Sequence, residues 1–321
     1  MITDQEKRRF QALTEAGGGG AEALRLAAEL KAGAPPRALE ALAALWLHAA
    51  TAAPERLAEI YDGACAGWQG EPVRAPAIPA VEAPDQPIPE AFWQGFWALL
   101  AERPEALAAG GVTLRTAELS GLVAAGLQPR LAQAALAYPG CAEAVAQGYP
   151  ERFTLEALAL CPAGSLGGEF HDLIVDNGFD LEVLDRDNLG IDDLPAALAY
   201  LNVRILQCHD LWHILAGYRT TGLHEVAISA FQMGQFGHHY SAMFLAMVLT
   251  RAAFEQPDAG ALLLDMILQA WRHGRESPPL LGLDWPAIWD RPVDQIRADL
   301  GLNAYVSPWP ADLFEQLSAA A

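Results

Sequence analysis

Four side chains in the second half of the chain have the types and spacing for shared chemistry. His209-Asp210-Leu211-Trp212-His213 sets two imidazoles four residues apart. On a helix that spacing projects both rings from one face, about one turn apart, which is what two ligands of one metal ion require. Glu225 lies twelve residues beyond His213, past a break at Thr221-Gly222 where the chain can reverse. The first turn of a returning helix would then present Glu225 to the histidines. Asp210 falls ~100° round the helix from His209. It is expected to ligate from the edge, or to accept a hydrogen bond that fixes an imidazole tautomer. The competing reading is a pair of core-edge histidines with ordinary hydrogen bonds.

Two imidazoles with one or two carboxylates suit Zn²⁺, and equally a two-His-one-carboxylate Fe²⁺ site; Mg²⁺, which prefers oxygen ligands, fits less well. A zinc peptidase would carry Glu as its general base where this chain has the shorter Asp210. The thiols of Cys65, Cys141, Cys161 and Cys208 form no Cys-x-x-Cys, and Cys208 reads as a core residue. His238-His239 would lie ~20 Å past Glu225 on one straight helix, out of reach of the cluster. His171-Asp172 lacks a second histidine at ligand spacing.

Two long helices must position these groups. One is predicted over 194–217. A second, unbroken, is predicted over 223–254 and is apolar nearly all round, so it is either central in the core or lines an apolar cavity. Met233, Phe236, Met243 and Met247 are the expected liners of an elongated lipid cavity, with Gly234 and Gly237 leaving room for the ligand. Strand-type alternation is almost absent and Ala and Leu dominate, so the fold is expected to be an all-α multi-helix bundle.

The chain reads as three regions. Residues 1–70 form a helical extension, with helices predicted over 21–32 and 36–53. Residues 71–89 hold six prolines and read as an extended linker or wrapped arm. Residues 90–321 form the main helical domain. At its start Phe92, Trp93, Phe96 and Trp97 share one helix face, either as core or as an apolar contact with a membrane.

Composition limits the partners. Lys plus Arg number 20 and Asp plus Glu 40, a net charge of −20. That argues against nucleic acid and against electrostatic docking on anionic lipid. Hydrophobic residues make up 52% of the chain, which implies a folded core. No apolar run approaches the ~18 residues of a spanning helix. The polar N-terminus resembles no signal peptide, so a cytoplasmic protein with reduced thiols is expected.

The motif His209-Asp210-x-x-His213-x(11)-Glu225 resembles the signature of the fourth ubiquinone (coenzyme Q) biosynthesis protein family. Pro162-x-Gly164-Ser165-Leu166-Gly167 upstream and Trp271-x-x-Gly274-Arg275, Pro279-Leu280-Leu281 and Trp285 downstream resemble its flanking blocks. The resemblance runs from about residue 88 to 302. His224 stands where that family usually has Gly, and His238-His239 replaces a small or proline-containing stretch. The resemblance implies an all-helical, membrane-peripheral protein on the inner membrane, expected as a homodimer. It implies a divalent metal, Zn²⁺ first, on His209, Asp210, His213 and Glu225. It also implies C1-decarboxylation, in an oxidative form or not, of a 4-hydroxy-5-polyprenylbenzoate. Some descriptions of the family stress instead a scaffold that organises other ubiquinone biosynthesis proteins.

Overall fold

The computed structural model describes residues 2–79, 83–102, 111–182 and 193–319. Among these the regular elements are helices, with no strand. In order they are α1 (Asp4–Ala16), α2 (Gly20–Lys31), α3 (Pro36–Thr51), α4 (Leu57–Gln69), α5 (Glu90–Ala101), α6 (Gly111–Ser120), α7 (Leu127–Leu136) and α8 (Cys141–Ala146). There follow α9 (Leu155–Leu158), α10 (Leu166–Asn177), α11 (Ala196–Ala216), α12 (Gly222–Phe236), α13 (His239–Glu255), α14 (Pro257–Glu276), α15 (Val293–Leu300) and α16 (Leu313–Ala319). The all-α expectation therefore holds. Contacts divide the chain into two units, one of Met1–Ala134 with Ser229–Glu276, the other of Ala135–Ile228 with Ser277–Ala321. This division runs differently from boundaries drawn at the proline run.

In the first unit α3 is buried along most of its length, from Ala38 to Thr51. Pro36 at its first turn has no amide to leave unsatisfied, so the helix starts there at no cost. Trp46 stacks on Tyr61 at 4.3 Å, and Tyr61 meets Trp271 at 4.9 Å. The Trp271 indole N–H donates to Asp62 at 2.8 Å. The proline-rich run lies along this unit as a strap. Arginines donate to its backbone carbonyls, Arg275 to Pro76 at 2.6 Å and Arg130 to Pro84 at 2.9 Å. The Gln86 amide donates to Ala52 at 3.0 Å.

In this unit one open alternative is decided and two expectations are corrected. Phe92, Trp93, Phe96 and Trp97 are core, at 0%, 3%, 0% and 9% exposure, and pack on Phe10 and Phe254. The core reading of this face therefore holds. The helix predicted over 223–254 is two helices. Gly237 takes φ +64, a left-handed conformation that an L-residue side chain resists, and α13 restarts after His238. Gly234 does not open a groove. A methyl there would stand 2.7 Å from the Trp271 carbonyl, and one on Gly274 would stand 2.2 Å from that of Phe231, so α12 and α14 touch backbone to backbone.

In the second unit α11 is the central rod. Pro195 precedes it, and Gly217 (φ 83, ψ 28) ends it. The Ser165 side chain caps α10 by accepting the Gly168 amide at 3.3 Å. The same turn pairs with the chain near Trp289: the Leu166 amide donates to Arg291 and that of Gly167 to Trp289, each at 2.9 Å. Buried Arg204 on α11 donates to the carbonyls of Leu281 and Leu283, at 3.0 and 2.8 Å, and holds that segment on the rod. The flanking motif Pro279–Leu281 thus braces the helix that carries His209 and His213, while Pro162–Gly167 is pinned to the chain near Trp289.

Candidate metal centre

His209 and His213 lie in the last two turns of α11, and Glu225 lies in the first turn of α12. The turn between them is short because Gly217 closes α11 with its amide on the His213 carbonyl at 3.1 Å. The Glu225 amide then donates to the Thr221 carbonyl at 2.8 Å, which starts α12 with its carboxylate facing back. The two imidazoles stand 4.7 Å apart at 79°, with Nε2 atoms 3.1 Å from each other. Glu225 sets one oxygen on each ring, Oε2 at 3.3 Å from His209 Nε2 and Oε1 at 3.3 Å from His213 Nε2. Donor atoms of His209, Asp210 and His213 all lie within 4.8 Å of one another. His213 is buried, His209 and Asp210 are half-buried, and the Glu225 side chain is 44% exposed.

This donor set fits a divalent cation. His213 Nδ1 meets the Tyr218 carbonyl at 3.3 Å. A carbonyl only accepts, so Nδ1 carries the proton and Nε2 turns its lone pair toward His209 and Glu225. A lone pair, a second ring nitrogen and a carboxylate converging on one point is an electron-rich arrangement that a cation neutralises. Burial opposes the charged form of Glu225, but the hydrogen bonds and charge of His209 and His213 outweigh it, holding the carboxyl well below its usual range. Burial pushes the Asp210 carboxyl up, with the two histidines acting against it.

The structure brings together His209, Asp210, His213 and Glu225, as the spacing predicted. The four predicted cavity liners, Met233, Phe236, Met243 and Met247, belong to the first unit and are at most 5% exposed. His238 and His239 also lie in that unit, with His238 Nδ1 at 2.9 Å from Ser241 Oγ and His239 Nε2 at 2.9 Å from the Ala50 carbonyl. Cys208 is fully buried, and His171 pairs with its neighbour Asp172 on α10.

Several residues that spacing did not single out hold the turn. Tyr218 stacks on Tyr305 at 4.5 Å, and the Tyr305 amide donates to Ala216 at 2.8 Å. Thr221 Oγ1 donates to the Ala311 carbonyl at 2.6 Å. The Gly222 amide at the start of α12 donates to Glu315 at 2.8 Å. His224 accepts the Arg219 amide on Nδ1 at 2.8 Å. A glycine-closed helix followed by a tyrosine hinted at Tyr218, but no local pattern points to partners some ninety residues away.

Fold and site define an all-helical protein with a His-Asp-x-x-His pair and a returning Glu. Residues 149–305 match the family described as Coenzyme Q (ubiquinone) biosynthesis protein Coq4. A relative from Drosophila ananassae, Ubiquinone biosynthesis protein COQ4 homolog, mitochondrial, is 30% identical over 146 residues, 44% of this chain and 52% of its own. The Homo sapiens protein of the same description is 29% identical over 155 residues, 47% of this chain and 55% of its own. The chain thus spans about half the length of the curated relatives it matches. A crystal structure from Nostoc punctiforme PCC 73102, described provisionally as a ubiquinone biosynthesis protein, shares the fold. It aligns with a TM-score of 0.51 and 23% identity, over 66% of this chain and 97% of its own.

Proposed function

We propose that this protein works in ubiquinone biosynthesis as a metal-dependent decarboxylase that removes the C1 carboxyl of a 4-hydroxy-5-polyprenylbenzoate. In the oxidative form of the reaction a hydroxyl replaces the carboxyl. The observation that carries this reading is the convergence of His209 Nε2, His213 Nε2 and both Glu225 oxygens in a segment that matches the family. A divalent cation, Zn²⁺ first and Fe²⁺ or Mg²⁺ otherwise, would supply Lewis-acid charge there to offset the charge that decarboxylation drives into the ring. His209, His213 and Glu225 would hold it. The Tyr218 carbonyl keeps His213 in the tautomer that donates its Nε2 lone pair. Asp210 either joins them or holds a proton that is passed to the ring.

The polyprenyl tail would bind by burial alone, at ~0.8 kcal/mol for each methylene. Met233, Phe236, Met243 and Met247 remain our assignment for its contacts. Among the described residues no helix is long and apolar enough to cross a membrane. We assign the protein to the membrane surface, where such a ligand dissolves. We assign a homodimer as its working form, alongside other ubiquinone biosynthesis proteins.

Four protein donors can also close a tetrahedral site and leave no position for substrate. This favours a second reading, a scaffold that presents prenyl lipid to partner enzymes. Purified protein incubated with a prenylated hydroxybenzoate, with and without metal and dioxygen, separates the two. Metal-dependent release of CO₂, lost in His209→Ala/His213→Ala, is the expected result. Binding of metal and lipid without turnover would establish the scaffold.

A further inference from the structure

In the second unit Val306-Ser307-Pro308-Trp309-Pro310 forms a short exposed loop, pinned at both ends to the turn that joins α11 and α12. On one side the Tyr305 amide donates to the Ala216 carbonyl at 2.8 Å, and the Tyr305 ring stacks on Tyr218 at 4.5 Å. On the other side the Ala311 carbonyl accepts Thr221 Oγ1 at 2.6 Å. Between these anchors Val306 is 83% exposed and Trp309 37%, and Pro308 and Pro310 are exposed with them. The other tryptophans of the chain are buried or half-buried. Apolar surface is thus gathered on one loop beside the metal-bearing hairpin.

The backbone of this loop is prepared for an apolar surrounding. A backbone polar group taken out of water without a partner costs free energy, and hydrocarbon offers it none. Pro308 and Pro310 have no amide to satisfy. Ser307 Oγ accepts the Trp309 amide at 3.1 Å and donates to the Trp309 carbonyl at 2.7 Å, using both roles of a hydroxyl. The Pro310 carbonyl accepts the Leu313 amide at 3.1 Å. A protein interface of ordinary size draws about ten hydrogen bonds from the surfaces that meet, whereas this loop closes its polar groups around Trp309 on itself. Charge points the same way. No charged residue stands between Leu302 and Ala311. The charges at its borders are mixed: exposed Arg219 on the anchoring turn, and exposed Asp312 and Glu315 just beyond the loop. That pattern complements headgroups that carry both signs. An anionic surface would meet a chain of net charge −20.

We propose that residues 306–310 are the element that docks this protein on a zwitterionic lipid bilayer, with Trp309 at the headgroup layer, where indole rings collect, and Val306 buried in apolar lipid beside it. The proposal rests on the membrane-surface assignment made above and names the residues that carry it. Because both ends of the loop are anchored on the α11–α12 turn, docking seats that turn, with His213 before it and Glu225 after it, at the bilayer surface. An apolar ligand would then approach the centre without entering bulk water.

The test is flotation of the full chain with phosphatidylcholine vesicles. Val306→Ser/Trp309→Ser removes the apolar surface at two exposed positions, and Trp309→Phe keeps an apolar ring. The expected result is ~10–100-fold weaker binding in the double variant, the worth of an apolar side chain left in water. Trp309→Phe should bind close to the wild type, and circular dichroism should be equal in all three. Vesicles of dibrominated phosphatidylcholine should quench the tryptophan fluorescence of the bound wild type, a readout that needs no variant to fold, and Trp309→Phe should lose that quenching. Three results would overturn the proposal and leave the membrane assignment to another surface: equal binding by the double variant, bound wild type that is not quenched, or binding that needs anionic lipid and disappears in salt. Wild-type protein that floats with no vesicle would sink the membrane assignment and this proposal together. Dimers that form in that case, and that the double variant loses, would make the loop a contact between copies of this chain.

Discussion

The backbone carbonyl of Tyr218 lies 3.3 Å from Nδ1 of His213, five residues back along the chain. That single contact converts a histidine into an oriented lone pair, since the proton it fixes on Nδ1 leaves Nε2 free to ligate. It exists because Gly217 ends α11 in a left-handed turn and brings Tyr218 back over the last turn of the helix.

Removal of both rings tests the centre. His209→Ala/His213→Ala is expected to lose its metal by elemental analysis and to keep its helical circular dichroism, because α11 is braced elsewhere by Arg204 and Arg297. Arg297 donates to the carbonyls of Ile214 and Leu215 at 2.7 and 2.9 Å. Full retention of metal in the double variant would refute the ligand assignment.

Glu315 reaches from the C-terminal segment to the first amide of α12, the turn that carries Glu225. A carboxylate there satisfies an otherwise unpaired amide and opposes the positive end of the helix. Glu315→Ala should cost about 1 kcal/mol. It should also weaken zinc binding while leaving the ligands intact. Competitive titration against a chromophoric chelator reads the second effect, and an unchanged zinc affinity would confine Glu315 to stability.

Acid should loosen the first unit. Burial holds His239 down to about 4, against an ordinary histidine at 6.5, with its Nε2–H donated to the Ala50 carbonyl. Between those values the unfolded chain binds the proton and the folded chain does not. Stability therefore falls as pH drops from 6.5 toward 4, by ~1.4 kcal/mol for each pH unit. His239→Gln keeps a donor for Ala50 and removes the titration. Urea unfolding at pH 7 and at pH 4.5 should show a smaller acid loss in this variant than in the wild type.

Gly274→Ala places a methyl 2.2 Å from the Phe231 carbonyl, backbone that cannot step aside. Overpacking of this kind costs about 1–3 kcal/mol or more. The expected outcome is a melting temperature several degrees lower by calorimetry. A neutral substitution would mean that α12 and α14 separate at little cost.

Membrane attachment should not depend on the aromatic helix α5. Trp93→Ala is expected to destabilise the protein by about 3–5 kcal/mol, as a truncated core residue does. Folded protein should still co-sediment with liposomes at about molar salt, where charges are screened within ~3 Å. Binding that needs anionic lipid and disappears in salt would reveal a basic surface acting against the net charge of −20.

Local sequence was enough for the helical class and for the four residues of the cluster. A four-residue spacing on a helix and a glycine at its end are short-range facts, and short-range geometry fixes where His209 and His213 point. The same reasoning failed over 223–254, because hydrophobicity continues unbroken through Gly237 while the backbone does not. Aromatic spacing likewise placed Phe92, Trp93, Phe96 and Trp97 on one face but was silent on what covers it; Phe10 and Phe254 lie far away in sequence.

Only the tertiary structure decided how the metal hairpin is held: Tyr305 on Tyr218, Glu315 on Gly222, and the Arg219 amide on a histidine that the family resemblance had marked as no more than a replaced glycine. Periodicity reports which side of an element is buried. It carries no record of which distant carbonyl or carboxylate completes a turn, because that choice is made by packing after the elements exist.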